Sequence, residues 1–389
     1  MDTTKRIISY IIYVALTLGS LVAIYFSLQQ MGVESWLWTA LFLAIGFFLS
    51  NFIYIFIHEL GHLIGGFIAG FKFYSFSVLF LKFIKINGKL KLRFSLSREI
   101  AGYCQMIPPH TSNLENAFKK YVAGSLVSST LFLAVALFGT VSPLIFPTFF
   151  AGKSLIYSTF ALAFVGTFPT HVANFSELTP NPTTDGAILR GLKSNSPTAQ
   201  TQIKMISIQS LLFSGTRPAD LDKNLIENLS FDDETYIYAP LFESYKLSHY
   251  LDLKDYKNVI TSSDFIKTHF RDTNEVFHQL LLCDVFYVEL VLKKDIDEAE
   301  RIYFYIAKFL KSHLDISTLR IRMAKEIFID STFSQALNTG VKAKNLAESY
   351  EAKGGADMEC EIIDELSKIA REQKEIQLRN STIDFRAVE

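Results

Sequence analysis

The stretch that decides the fold is WLWTALFLAIGFFLSNFIYIFIHELGHLIGGFIAG, residues 36–70. Its first part, Trp36 to Ile57, carries no charged side chain and is long enough to cross a bilayer, which needs about 20 apolar residues. His58-Glu59-Leu60-Gly61-His62 follows without a break. Ionisable residues inside a spanning helix cost several kcal/mol, so their presence indicates a functional site.

The motif His58-Glu59-x-x-His62 has the spacing of a zinc site on a helix. Residues four apart lie on one helical face, so both imidazoles can bind one metal ion. Zinc lowers the pKa of a bound water to about 7, and Glu59 stands next to the metal as the general base. The motif therefore predicts metal-assisted hydrolysis of a peptide bond.

A catalytic zinc site needs a third protein ligand and one open position. Asp185 is the first candidate, because it follows two prolines in LTPNPTTDG, residues 178–186, and irregular backbone at membrane depth is tolerated where it lines a cavity. His171 and Glu177 are competing candidates. His171 also fits a buried, hydrogen-bonded or substrate-contacting histidine.

The composition separates the chain of 389 residues into two halves. Hydrophobic types make up 49% of it, 35 residues are Phe, and the mean hydropathy is +0.23, which favours a membrane protein. The first 193 residues carry 14 Lys and Arg against 7 Asp and Glu, whereas the rest carry 24 against 32. We therefore predict a transmembrane domain over residues 1–195 and a soluble domain over residues 196–389.

About four spans are predicted in the first domain: Ile7–Gln29, the span from Trp36, a third from Tyr121 to about Phe138–Pro143, and a fourth over Ser154–Val172. Basic residues concentrate in the loop at 71–120, and such loops stay in the cytoplasm. The sequence thus predicts a multi-pass protein, assigned to a bacterial cell membrane, with its N-terminus and its C-terminal domain in the cytoplasm.

Within this basic loop, residues 89–96 alternate between charged or polar and apolar types, which is the period of a half-buried strand. Asn87-Gly88 comes directly before them and is a strong hairpin signal, because a type I′ turn needs positive φ at both central residues. Residues 76–96 are therefore predicted to form a short β-hairpin at the membrane surface.

The second domain is predicted to be all-α. Amphipathic segments recur at Asp252–Phe265, Asp295–Leu310 and Asp330–Leu346, each with an acidic residue near its start. Their quasi-periodic spacing favours stacked helical hairpins of the tetratricopeptide kind, with an irregular helical bundle as the alternative. Either arrangement offers a surface for a protein partner.

The HELGH sequence in a membrane helix, followed by the Pro-x-Pro-x-x-Asp-Gly segment at 180–186, resembles the site-2 protease family of intramembrane zinc metalloproteases. The resemblance covers residues 36–190. It implies that His58, His62 and Asp185 bind one Zn²⁺ per chain and that Glu59 is the catalytic base. It further implies substrate-binding roles for residues near a strand edge and in the ligand loop, namely Gly102, Tyr103, Asn174 and Asn181.

The expected activity is zinc-dependent hydrolysis of peptide bonds in or near transmembrane segments of membrane proteins or signal-peptide-like substrates. The expected partners are these substrates, the lipid bilayer and a protein bound by the C-terminal domain, with no nucleic acid. A metalloprotease with a downstream Glu ligand is one alternative. A non-catalytic membrane scaffold, or an accessory protein of transport or immunity, is another.

Overall fold

The computed structural model describes residues 36–86, 89–94, 102–146, 154–175, 184–227, 238–273, 275–350 and 352–386, together with the separate positions Ile11, Val14, Leu18, Val22 and Tyr25. The chain divides into two compact units, Met1–Ile203 and Lys204–Glu389. This boundary lies a few residues beyond the predicted domain limit at 195, inside the helix Pro197–Ser214. Each unit is described by itself.

The first unit consists of helices and one small antiparallel sheet. Its helices are α1 (Trp36–Ile68), α2 (Leu114–Ile145), α3 (Ser154–Phe175), α4 (Asp185–Ser194) and the start of α5 (Pro197–Ser214). Its strands are β1 (Lys72–Val78), β2 (Leu81–Ile86), β3 (Lys89–Phe94) and β4 (Gly102–Ile107).

Helices α1 and α2 approach each other closely because glycines line their contact. A Cβ atom added to Gly61 would lie 2.4 Å from the Gly124 carbonyl oxygen, and one added to Gly65 would lie 2.5 Å from the Lys120 carbonyl oxygen. Both obstacles are backbone atoms, which cannot rotate away. Ser128 reinforces the contact by donating a hydrogen bond to the Ile57 carbonyl at 2.9 Å. Small residues at such positions are typical of helix packing inside membranes.

The prediction of four spans is not met. Two of the described helices, over Ala40–Ile68 and Leu114–Ser142, are long and apolar enough to cross a membrane. Helix α3 lies where the fourth span was expected, but it is not one of these two helices. The first predicted span, 7–29, lies almost wholly outside the described residues, and the five described positions there are helical.

The predicted hairpin is part of a larger sheet. β2 pairs with β3 in the expected antiparallel register, Ile86 opposite Lys89, although Asn87 and Gly88 themselves lie outside the described residues. The four strands follow the order β3-β2-β1-β4, so β1 and β4 extend a two-stranded prediction to four strands. The sequence of β1 and β4 does not show the strict alternation of β3, which is why the pattern did not reveal them.

The second unit is all-α within its described residues, apart from short 3₁₀ turns. After α5 its helices are α6 (Lys223–Ile226), α7 (Ala239–Asp252), α8 (Tyr256–His269), α9 (Glu275–Tyr287), α10 (Ile296–Ser312), α11 (Ile316–Phe328), α12 (Phe333–Lys344) and α13 (Lys353–Arg386), with a π-helical segment at Val288–Lys293. One large apolar core contains Phe286, Ile306, Ile321 and Ile363, all fully buried.

The structure gives no support to tetratricopeptide-like repeats. The described helices differ widely in length, from 4 residues in α6 to 34 in α13, and the π-helical segment interrupts the series. The recurring acidic residues have a local explanation. Asp255 and Asp295 are N-caps whose carboxylates accept hydrogen bonds from the main-chain N–H groups three residues on. Caps at two of the three segments resemble a repeat without requiring one, and α12 begins after Thr332 with no side-chain cap.

The α1–α2 contact generates a test. We expect Gly65→Val to destabilise the first unit by at least about 3 kcal/mol, because the added carbons would press on backbone rather than on a movable side chain. Thermal unfolding of the purified full-length chain in detergent measures the loss. The matched control is Ile64→Val, since Ile64 is 51% exposed on the same helix. Equal melting temperatures for the two variants would contradict the close packing.

Candidate functional site

Three side chains from distant parts of the first unit meet at one point. His58 and His62 come from successive turns of α1, and Asp185 is the first residue of α4. The Asp185 Oδ2 atom lies 2.9 Å from His58 Nε2 and 3.2 Å from His62 Nε2. One ligand atom of each residue lies within 4.8 Å of the other two. The helical spacing in the sequence therefore aims both imidazoles at the same carboxylate.

Asp185 is held by neighbours on two other helices. Its main-chain N–H donates to Asn174 Oδ1 at 3.2 Å, and Asn174 Nδ2 lies 3.5 Å from Asp185 Oδ2. Ser125 Oγ donates to the same carboxylate oxygen at 2.7 Å. Thr184 caps α4 by accepting from the Ala187 N–H, which starts the helix at the carboxylate. The side chain is thus fixed in position and direction.

The tautomer of His62 follows from its second nitrogen. His62 Nδ1 lies 3.2 Å from the Tyr121 carbonyl oxygen, which can only accept a hydrogen bond, so Nδ1 carries a proton. If the ring is neutral, Nε2 then presents its lone pair to the Asp185 carboxylate. Two lone pairs at 3.2 Å repel each other unless the ring is protonated or a cation lies between them.

These donors fit a zinc ion. With zinc–nitrogen and zinc–oxygen bonds of about 2.0–2.2 Å in a tetrahedron, neighbouring ligand atoms lie about 3.3 Å apart. The two distances from Asp185 Oδ2 to the histidine nitrogens, 2.9 and 3.2 Å, are close to that value. A hydrogen bond from the second imidazole nitrogen to a carbonyl, as in His62, is the usual support of a metal-binding histidine. His58 Nδ1 is buried and has no such partner among the described residues.

Glu59 points from α1 toward the edge of the sheet. It is 6% exposed, and the Cys104 N–H on β4 donates a hydrogen bond to its carboxylate. A Cβ atom on Gly102 would lie 3.0 Å from Glu59 Cγ and 2.6 Å from Ile55 Cγ2, so a larger residue here would force these side chains to shift. The sheet edge therefore places main-chain groups directly beside the carboxylate.

Tyr121 links this edge to the histidines. Its hydroxyl donates to the Cys104 carbonyl, and its own carbonyl faces His62 Nδ1. Its ring also packs on His62, with 4.7 Å between ring centroids, and on Phe71 at 5.2 Å. Both main-chain polar groups of Cys104 are consequently engaged, one by Glu59 and the other by Tyr121.

His171 lies near His58, His62 and Asp185, but its imidazole has other partners. Tyr54 OH and His171 Nδ1 are 3.0 Å apart, and the Tyr54 ring lies over His58 at 6.2 Å. His171 is not among the three residues whose ligand atoms converge. The competing ligand Glu177 and the predicted substrate residue Asn181 lie outside the described residues.

The predicted substrate residues are spread over different positions. Gly102 lies against Glu59, whereas Asn174 is bound to Asp185. Tyr103 lies opposite Ser77 in the sheet, and the Lys82 ammonium sits 5.4 Å from the centre of its ring. Because neighbouring strand residues point to opposite faces, the Tyr103 side chain is turned away from the face of Cys104 and Phe76.

Sequence reasoning missed Ser125, Tyr121 and Tyr54. Tyr54 precedes His58 by four residues, so helical periodicity alone would have put it on the same face. Gly124-Ser125 is a pair of small residues inside an apolar helix, which also signals a close contact. For Tyr121 the sequence offers no comparable signal.

A scan against protein-family models and searches of curated proteins and of solved structures gave no match.

The bridge through Tyr121 can be tested. We expect Tyr121→Phe to lower the free energy of unfolding by about 1–3 kcal/mol, because the Cys104 carbonyl loses its donor in a buried place. Tyr103→Phe is the matched control, since no hydrogen bond of its hydroxyl is seen among the described residues. Chemical denaturation in detergent gives both values, and a loss no larger than that of the control would contradict the bridge.

Proposed function

We propose that this protein is a zinc-dependent endopeptidase that hydrolyses peptide bonds in or near transmembrane segments of membrane proteins or signal-peptide-like substrates. The observation that carries the proposal is the convergence of His58, His62 and Asp185, with a main-chain carbonyl fixing the His62 tautomer. The resemblance of HELGH and the Asp185 loop to site-2 proteases adds to it. One Zn²⁺ per chain is the cofactor in this proposal.

Zinc, when bound, supplies a Lewis acid that activates water and polarises the peptide carbonyl. His58, His62 and Asp185 are the residues that would hold it. Glu59 accepts the proton that the attacking water loses, and the Cys104 N–H orients its carboxylate for this role. Ser125 and Asn174 keep Asp185 aimed at the histidines.

A membrane location is supported by the surface of α1. Only 11% of the most apolar 18-residue window within Ala40–Ile68 is buried, and Phe47, Phe48 and Ile53 are each about half exposed. Such an apolar surface is unfavourable in water and favourable in lipid. The proposal retains a multi-pass arrangement in a bacterial cell membrane, with the N-terminus and the C-terminal unit in the cytoplasm, on the strength of the basic loop.

The sheet supports a position at the membrane surface. Leu90, Leu92 and Phe94 alternate with Lys89 and Lys91 along β3, and all three apolar side chains are more than half exposed. One face of this hairpin can therefore contact lipid while the other binds anionic headgroups. In this proposal a substrate strand pairs with β4 at Gly102. It cannot pair at Cys104, because Glu59 and Tyr121 already bind the main-chain N–H and carbonyl of that residue.

The metal site gives the first test of this function. Full-length protein purified in detergent should contain about one zinc per chain, and His62→Ala and Asp185→Ala should lose most of it, since each removes one of three ligands. Elemental analysis by mass spectrometry measures the content. His171→Ala is the control, because this histidine lies near the site but outside the converging group. Full zinc retention by Asp185→Ala, or its loss in His171→Ala, would show that the ligand set is wrong.

The chemical step gives the second test of this function. We expect Glu59→Gln to reduce cleavage about 10²-fold or more while zinc content stays unchanged, because the amide keeps the shape but cannot accept a proton. The assay uses single-span model substrates whose spans contain a Gly-Pro pair, which exposes main-chain carbonyls by breaking the helix. Glu115→Gln, at the exposed start of α2, is the control.

Cleavage by Glu59→Gln at the control's rate would exclude Glu59 as the base. If zinc-loaded wild-type protein cleaved none of these substrates, the non-catalytic membrane scaffold would become the better explanation.

A further inference from the structure

A groove in the second unit is built from one face each of α11 and α12. Its volume is about 820 Å³. Along α12 it is lined by Gln335, Asn338, Lys342 and, just past the helix end, Asn345. The spacings of three, four and three residues put all four side chains on one helical face. The stripe extends over about 15 Å at 1.5 Å per residue.

The α11 wall of the groove carries a buried carboxylate with unused capacity. Glu326 is 8% exposed, and its Oε1 accepts a hydrogen bond from Gln335 Nε2 at 2.8 Å. Its Oε2 is buried without a hydrogen-bond partner among the described residues. A buried acceptor left unpaired destabilises the fold, and more so when it is charged. A donor that reached Glu326 through the groove would remove this cost.

The opposite charge lies farther along the same groove. Lys342 is exposed and makes no ion pair within the described part of the chain, and it follows Gln335 by two helical turns, or about 10 Å. Arg322, one turn before Glu326, lines the groove as well and donates to the Leu310 carbonyl. Apart from Arg322, whose guanidinium is bound to this carbonyl, the groove thus has a negative pole at Glu326 and a positive pole at Lys342.

The spacing of these poles indicates the occupant. Extended polypeptide rises about 3.3 Å per residue, so 10 Å corresponds to about three residues. Side-chain amides such as those of Asn338 and Asn345 each offer donors and an acceptor, which match the N–H and C=O groups of a peptide main chain. A chain of about four or five extended residues would cover the whole stripe.

We propose that this groove binds a short extended peptide segment with a basic side chain and a carboxylate about three residues apart. The basic group pairs with Glu326, the carboxylate pairs with Lys342, and the amides of α12 hold the main chain between them. This site belongs to the second unit and does not depend on the proposed activity of the first.

Three end-blocked, fluorescently labelled peptides test the proposal on the full-length protein in detergent. They have the cores Lys-Ala-Ala-Glu, Glu-Ala-Ala-Lys and Gln-Ala-Ala-Gln, since the direction of the chain in the groove is open. Fluorescence polarisation should show one of the two charged peptides binding at least about tenfold more tightly than the neutral one. Equal affinities for all three peptides would overturn the proposal.

Variants assign the binding to the groove. Lys342→Ala and Glu326→Gln should each bring the affinity of the preferred peptide down to about that of the neutral one. Lys308→Ala, on the exposed face of α10 and outside the groove, should leave it unchanged. A loss with Lys308→Ala as large as with Lys342→Ala would reject the site. Because Lys342 is exposed, its variant keeps the test valid even if Glu326→Gln fails to fold.

Discussion

The contact between α1 and α2 at Gly61, Gly65 and Gly124 is the constraint on which the rest of the first unit depends. It brings the two backbones so close that any side chain at Gly61 or Gly65 would strike a carbonyl oxygen. At this separation the Tyr121 carbonyl on α2 reaches His62 on α1, while Ser125 on the same α2 binds Asp185. The glycines therefore set the geometry of the histidine–carboxylate group without taking part in it.

A chain of buried polar contacts passes this geometry on to the sheet. Glu59 binds the Cys104 N–H, and Tyr121 binds the carbonyl of the same residue. Buried polar groups need partners because desolvation without a hydrogen bond is costly. The edge strand β4 therefore cannot shift without losing its hydrogen bonds to Glu59 on α1 and to Tyr121 on α2. The outward-facing side chains of α1 are apolar, in contrast to this polar interior.

The two units follow different physical rules. In the first, apolar side chains point outward and polar ones point toward the histidines, whereas the second has an ordinary apolar core beneath a charged surface. Even its core contains ions: Arg320 Nε lies 2.7 Å from Glu359 Oε2 and its guanidinium lies over the Tyr287 ring. Burial raises the pKa of Glu359 to about 7, so the ion pair with Arg320 carries a desolvation cost.

The sequence by itself determined the features that depend on neighbours along the chain. Apolar length predicted α1 and α2, the four-residue spacing put His58 and His62 on one face, and alternation after Asn87-Gly88 predicted the pairing of β2 with β3. It also singled out Asp185. It overestimated the number of long apolar spans, and it predicted from the spacing of amphipathic segments a repeat in the second half that the structure does not support.

Only the tertiary structure decided which distant residues meet. Asp185 joins the histidines because α4 begins beside α2. Ser125 lies 60 residues along the chain from its partner Asp185, and Tyr121 lies 59 residues from His62. In the structure the Tyr103 side chain points away from the site, and Asn174 accepts a hydrogen bond from the main-chain N–H of Asp185. Periodicity along the sequence fixes the helix face on which a side chain lies. Which residue it meets across that face depends on the distance between the two packed helices. Glycines in separate segments of the chain set that interhelical distance together.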